Sequence, residues 1–120
     1  MSASDQSSSD DIVKQVRELS EAVAVDISGD VDLHRSPALR GALAKLIDSN
    51  PSRLVLNLSE VGYMDSSGVA TLVEALQRIQ RKQGRLLLHS LSPRVQSIFE
   101  IARLESIFEI YPSEDEALRA

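Results

Sequence analysis

The sequence contains no cysteine and no tryptophan, and its only aromatic residues are Tyr63, Phe99, Phe108 and Tyr111. Without cysteine there is no disulfide framework, no thiolate nucleophile and no cysteine metal site. His34 and His89 are the only histidines, too few for a metal cluster, so no metal or other cofactor is expected. Scarce aromatics argue against a base-stacking platform. A formal net charge of -5 argues in the same direction against nucleic acid as a direct partner. No apolar run approaches the length of a membrane span, and no signal-peptide core follows the first methionine. A cytoplasmic protein without membrane insertion is the expectation.

What is present suits one ordinary domain. The chain has 120 residues, 42% of them hydrophobic and 26% charged, enough for a single core. Residues 1–11 are polar, serine-rich and aperiodic, and read as a disordered tail. The folded domain is expected over residues 12–120. Ile12 to Leu19 fits either a helix or an edge strand. From Ala22 to Ile27, Val23, Val25 and Ile27 alternate with small or polar residues, the period of a strand. Ser28-Gly29-Asp30 supplies a turn. Ser36-Pro37 reads as an N-cap and first helical position, opening a helix through Leu39, Leu43, Leu46 and Ile47 that Asn50-Pro51 ends. Arg53 to Leu58 is a buried strand. Val69 to Gln83 carries Val69, Leu72, Val73, Leu76 and Ile79 on one helical face, with Gly84 as its C-cap. Leu86 to His89, a helix after Ser92-Pro93, a strand at Ile107 to Ile110 and a helix capped by Ser113 and Glu116 complete the order.

Strands alternating with helices predict an α/β domain with a mixed, mainly parallel sheet of about five strands and about four α-helices. Its expected core includes Val25, Ile27, Leu54, Leu56, Leu72, Leu76, Leu87, Ile98 and Phe99. No catalytic residue is expected.

The organising stretch is Val61 to Val69, a strand-to-helix turn bearing Asp65, Ser66, Ser67 and Gly68. A hydrolase elbow would need Gly-x-Ser-x-Gly, and the first glycine is missing. A phosphate-cradling loop would need more glycines and a lysine. Asp30 and Asp32 read as solvated turn residues. Two readings of the serines remain: helix cap, or exposed acceptor of a modification. Phosphorylation adds roughly -1.5 to -2 charge, which a helix N-terminus tolerates and a docked partner surface does not.

Leu54-Val55-Leu56-Asn57-Leu58 followed by Val61-Gly62-Tyr63-Met64-Asp65-Ser66-Ser67-Gly68 resembles the STAS domain, the fold of anti-sigma factor antagonists. Ser28-Gly29-Asp30-Val31-Asp32 resembles the family's Gly-Glu-Leu-Asp turn. Leu91-Ser92-Pro93-Arg94-Val95 with Phe99 resembles the stretch before its third helix. The similarity spans roughly residues 22–118. It implies a non-enzymatic binding module whose acceptor, Ser66, is phosphorylated by an anti-sigma factor serine kinase and reset by a phosphatase. Asp32, Asp65, Ser67 and Gly68 would then lie with Ser66 on the partner-binding surface. Val31 to Pro37 and Gly68 to Leu72 also look like STAS accessory subunits of lipid-transport ABC systems, which implies an alternative partner, the transporter ATPase.

Overall fold

The computed structural model describes residues 12–120; the tail expected over residues 1–11 lies outside them. Five strands, β1 (Val13–Glu18), β2 (Ala22–Ser28), β3 (Arg53–Glu60), β4 (Arg85–His89) and β5 (Glu109–Tyr111), stand side by side in sequence order. Only β1 runs antiparallel, paired to β2. The ambiguous segment at 12–19 is therefore an edge strand. Helices α1 (Ser36–Asp48), α2 (Ser66–Arg81) and α3 (Pro93–Ile101) are the three crossovers, and α4 (Glu114–Arg119) follows β5.

The sheet grows in one direction, so right-handed crossovers must all fall on one face. There Leu39, Leu43 and Ile47 of α1, Leu72 and Ile79 of α2, and Val95 and Phe99 of α3 pack on Val25, Ile27, Leu54, Leu56, Leu86 and Leu88. Leu87, expected in this core, is buried on the opposite face with Val55 and Ala22 under Ala117 of α4. The pairings Val55↔Leu87 and Leu56↔Leu88 fix this alternation, which a Leu-Leu-Leu run cannot reveal by itself. Ile98 is only half-buried.

Several boundaries move for local reasons. Ser36 is no N-cap. It is the first residue of α1, whose capping position, Arg35, makes no side-chain cap. The left-handed residue after α2 is Gln83 (φ 66°) rather than Gly84. Gly84 serves close approach instead, since a Cβ there would meet the Pro51 carbonyl oxygen at 2.9 Å. The last strand begins at Glu109 because Leu104–Ser106 form a 3₁₀ turn, leaving Ile107 exposed. Ser92 and Ser113 do cap α3 and α4, accepting from the backbone N–H groups of Val95 and Glu116.

The second face also carries a polar row, Asp26, Asn57 and His89, brought into line by strand register. Asn57 donates to Asp26, and Arg17 of β1 binds Glu114 of α4 through two hydrogen bonds. His89 is 3% exposed. Its Nδ1 lies 2.8 Å from Ser90 Oγ, which is itself 3.3 Å from the Pro112 carbonyl oxygen. Nε2 has no hydrogen-bond partner among the described residues and lies 3.8 Å from Glu114 Oε1.

Burial holds the His89 pKa below its ordinary value, with Arg17 acting in the same sense and Glu114 and Asp26 opposing. A depressed histidine gives stability that is complete above the unfolded-state pKa, about 6.5, and is lost as pH falls below it. Urea unfolding from pH 7 to 5 is expected to show declining stability, and His89→Gln is expected to flatten that slope. An unchanged slope in the variant would contradict the assignment. Glu114, held low chiefly by its hydrogen bond from Arg17, loses its contribution at more acid pH.

Candidate functional site

The C-terminal ends of β2 and β3 deliver two loops to one place, as open parallel sheets do. In the first loop, Asp32 Oδ1 and its carbonyl both accept from the Arg35 N–H, a turn that launches α1. In the second, Asp65 caps α2. The loops are stitched by the bridge between Val31 and Met64 and by Asp65 Oδ2, which accepts from the Leu33 N–H at 3.1 Å.

Asp65, rather than a serine, is thus the cap. Its Oδ1 accepts from the N–H groups of Ser67 (2.9 Å) and Gly68 (3.1 Å) and from the Ser67 hydroxyl at 2.6 Å. The Ser67 hydroxyl, followed by the N–H groups of Gly68, Ser67 and Leu33, holds this carboxylate below the ordinary range against the opposing effect of burial. Asp65 is therefore an anion at neutral pH. Gly68 lets α2 press against the first loop: a Cβ there would lie 2.6 Å from the Val31 carbonyl oxygen and 2.6 Å from Met64 Cγ.

The two adjacent hydroxyls have opposite environments. Ser67 Oγ is bound to Asp65 and lies 2.9 Å from Ser36 Oγ, which itself donates to the Asp32 carbonyl at 2.6 Å. Those three contacts share two hydroxyl protons, so neither hydroxyl is spare. Ser66 is exposed, and its side chain makes no hydrogen bond among the described residues. The Asp65 carboxylate is committed to Ser67, Gly68 and Leu33 and makes no hydrogen bond to the Ser66 hydroxyl.

Asp32, Asp65, Ser66, Ser67 and Gly68 thus lie together on the two stitched loops. Ser36 was missed as a member: its 3% exposure reflects a turn that carries it inward, which Ser-Pro alone does not signal. An apolar groove of about 550 Å³ beside Ser66 was missed as well. Tyr63, Ser66 and Val69 form one wall; Ile98 and Ile101 of α3 and the following Ala102 form the other. Ile101 is 84% exposed. Its signal is the spacing 98, 101, 102, which also describes a core-facing stripe. Among the described residues no group of acidic and histidine side chains is arranged to hold a metal, and no helix is long and apolar enough to cross a membrane.

The STAS domain family model matches residues 13–117. The anti-sigma-B factor antagonist of Bacillus subtilis is 32% identical over 95 residues, 79% of this chain and 86% of that protein. An anti-sigma factor antagonist from Mycobacterium paratuberculosis is similar in structure, with a TM-score of 0.80 at 26% identity over 88% of this chain and 89% of that one. The Bacillus cell fate determinant SpoIIAA in its phosphorylated form gives a TM-score of 0.66 at 23% identity over 88% and 96% of the two chains, a likeness of fold.

Proposed function

The chain belongs to the STAS domain family, and from that membership we propose that it is an anti-sigma factor antagonist switched by phosphorylation of Ser66. The observation that carries this reading is the contrast between two neighbouring serines. The Ser66 hydroxyl is exposed and uncommitted, while that of Ser67 is tied to Asp65 and Ser36. A serine kinase of the anti-sigma class would transfer the γ-phosphoryl group of ATP to Ser66 Oγ, releasing ADP and the hydroxyl proton. The unmodified surface around Asp32, Asp65, Ser66, Ser67 and Gly68 would bind that kinase; a phosphatase would hydrolyse the ester and restore it.

The physics favours a switch at the interface over one inside the fold. Ser66 sits at an exposed rim, so the added charge is solvated in the free protein. In a complex the same charge must be desolvated against a surface shaped for a neutral hydroxyl, which costs several kcal/mol. The partner would then dissociate while the domain keeps its structure.

The test is incubation of the full chain with the anti-sigma factor kinase of its own genome and ATP, followed by site mapping. One phosphate on Ser66, none on Ser66→Ala and undiminished labelling of Ser67→Ala are expected. Ser66→Asp is expected to bind the kinase at least about 100-fold more weakly than Ser66→Ala, or about 2.7 kcal/mol. Phosphate mapped to Ser67, or equal binding by the two Ser66 variants, would overturn the reading. Co-purification with a transporter ATPase whatever residue occupies position 66 would transfer it to the accessory-subunit alternative.

A further inference from the structure

A phosphate on Ser66 faces a difficulty in this fold. The N-terminus of α2 would ordinarily offer backbone N–H groups to an anion. Here Asp65 Oδ1 already takes those of Ser67 and Gly68, and the Asp65 carbonyl takes that of Val69. The new dianion therefore finds three of the first four helix donors occupied, leaving only the N–H of Ser66 itself, with an ionised carboxylate next to it. Of the neighbouring cations, Arg35 is engaged: its Nη1 donates to the Asp30 carbonyl at 2.8 Å.

The groove supplies another. Arg94, Ile98 and Ile101 lie at positions i, i+4 and i+7 of α3, one face of the helix. Ile98 and Ile101 line the groove opposite Ser66, so Arg94 stands at its end, one turn nearer the helix start. Its guanidinium carbon lies 5.2 Å from the centroid of the Tyr63 ring, and Tyr63 is on the same wall as Ser66. Arg94 is exposed and forms no salt bridge among the described residues. A cation over an exposed ring is weakly held, and a two-pronged guanidinium–phosphate bond is stronger.

We propose that Arg94 is the receptor for a phosphate on Ser66, leaving the Tyr63 ring to pair with the phosphomonoester dianion across the mouth of the groove. This rests on the assignment of Ser66 as acceptor and adds how the modified state is held. The phosphate would act twice: it repels a partner at the rim, and with Arg94 it bars the apolar walls formed by Val69, Ile98 and Ile101.

The experiment encodes phosphoserine at position 66 of the full chain during translation and follows its second ionisation by ³¹P NMR. In the parent the phosphate is expected to titrate at least about 0.5 pH unit lower than in Arg94→Ala, because a nearby cation favours the dianion. Arg94→Lys is expected to fall between them, since a lysine keeps the charge without the fork. Arg81→Ala, at the far end of α2, is expected to match the parent. Arg94 is exposed, so coincident melting of the unphosphorylated proteins confirms that the variants are folded. Superimposable titrations of parent and Arg94→Ala would overturn the proposal. Since no kinase is involved, that result would leave the acceptor assignment to the mapping experiment, and the two can fail separately.

Discussion

Gly68→Ala is expected to destabilise the domain by about 2 kcal/mol, since forcing a methyl group into a packed site costs up to about 3 kcal/mol. The new Cβ would stand 2.6 Å from the Val31 carbonyl oxygen, 2.6 Å from Met64 Cγ and 2.9 Å from Val31 Cγ1. Met64 can move; the Val31 backbone cannot easily do so. Its carbonyl accepts from the Asp65 N–H, its N–H donates to Tyr63, and the residue is fully buried. Relief must come from lifting the first turn of α2, which would break the Asp65 cap at the same time. Alanine regains about 1 kcal/mol of helix propensity, so the figure is a net one.

Gly41 is the internal comparison. It lies inside α1, and a Cβ there meets nothing within 4 Å. Gly41→Ala is expected to stabilise by up to about 1 kcal/mol. Urea unfolding of the two variants checks both signs. A Gly68→Ala protein as stable as the parent would show that α2 does not need this close approach. The site would then have more freedom than its geometry suggests.

The sequence makes some of this legible and hides the rest for identifiable reasons. Val23, Val25 and Ile27 alternate cleanly, and Leu72, Leu76 and Ile79 mark a helical seam, because each element buries one face. Leu86-Leu87-Leu88 is buried on both faces, so only its pairing with β3 shows that the middle leucine belongs under α4. Ser92 and Ser36 precede proline alike, yet only Ser92 caps a helix. The difference lies outside the dipeptide, in Asp32, which forms its own turn with Arg35 and draws Ser36 inward. The acidic and hydroxyl residues of the site are adjacent in sequence, which makes the cluster readable. Their roles are not, because Asp65 could serve either neighbouring serine and only the helix geometry turns it to Ser67. The groove was hidden by a different ambiguity: a stripe of isoleucines on α3 looks the same whether it meets the core or solvent.

Moving the phosphate by one residue should separate these roles most sharply. With phosphoserine encoded at position 66 the melting temperature is expected to stay within a few degrees of the parent, whereas at position 67 it is expected to fall by on the order of 10 °C. Ser67 Oγ sits 2.6 Å from Asp65 Oδ1 and 2.9 Å from the buried Ser36 hydroxyl. A phosphoryl group has no room between them. It would replace the proton donated to Asp65 with oxygens of the same charge as the carboxylate. Asp65 could escape only by releasing the N–H groups of Ser67, Gly68 and Leu33, which uncaps α2 and frees the first loop together. Among the described residues the Ser66 side chain has no such ties. Equal melting of the two phosphoproteins would mean that the hydroxyl pair exerts no hold on Ser67, and any choice between the two serines would then have to come from the kinase. A large drop confined to position 67 would mean that the fold itself selects the acceptor, by placing one of two chemically identical neighbours where phosphorylation and the native loop cannot coexist.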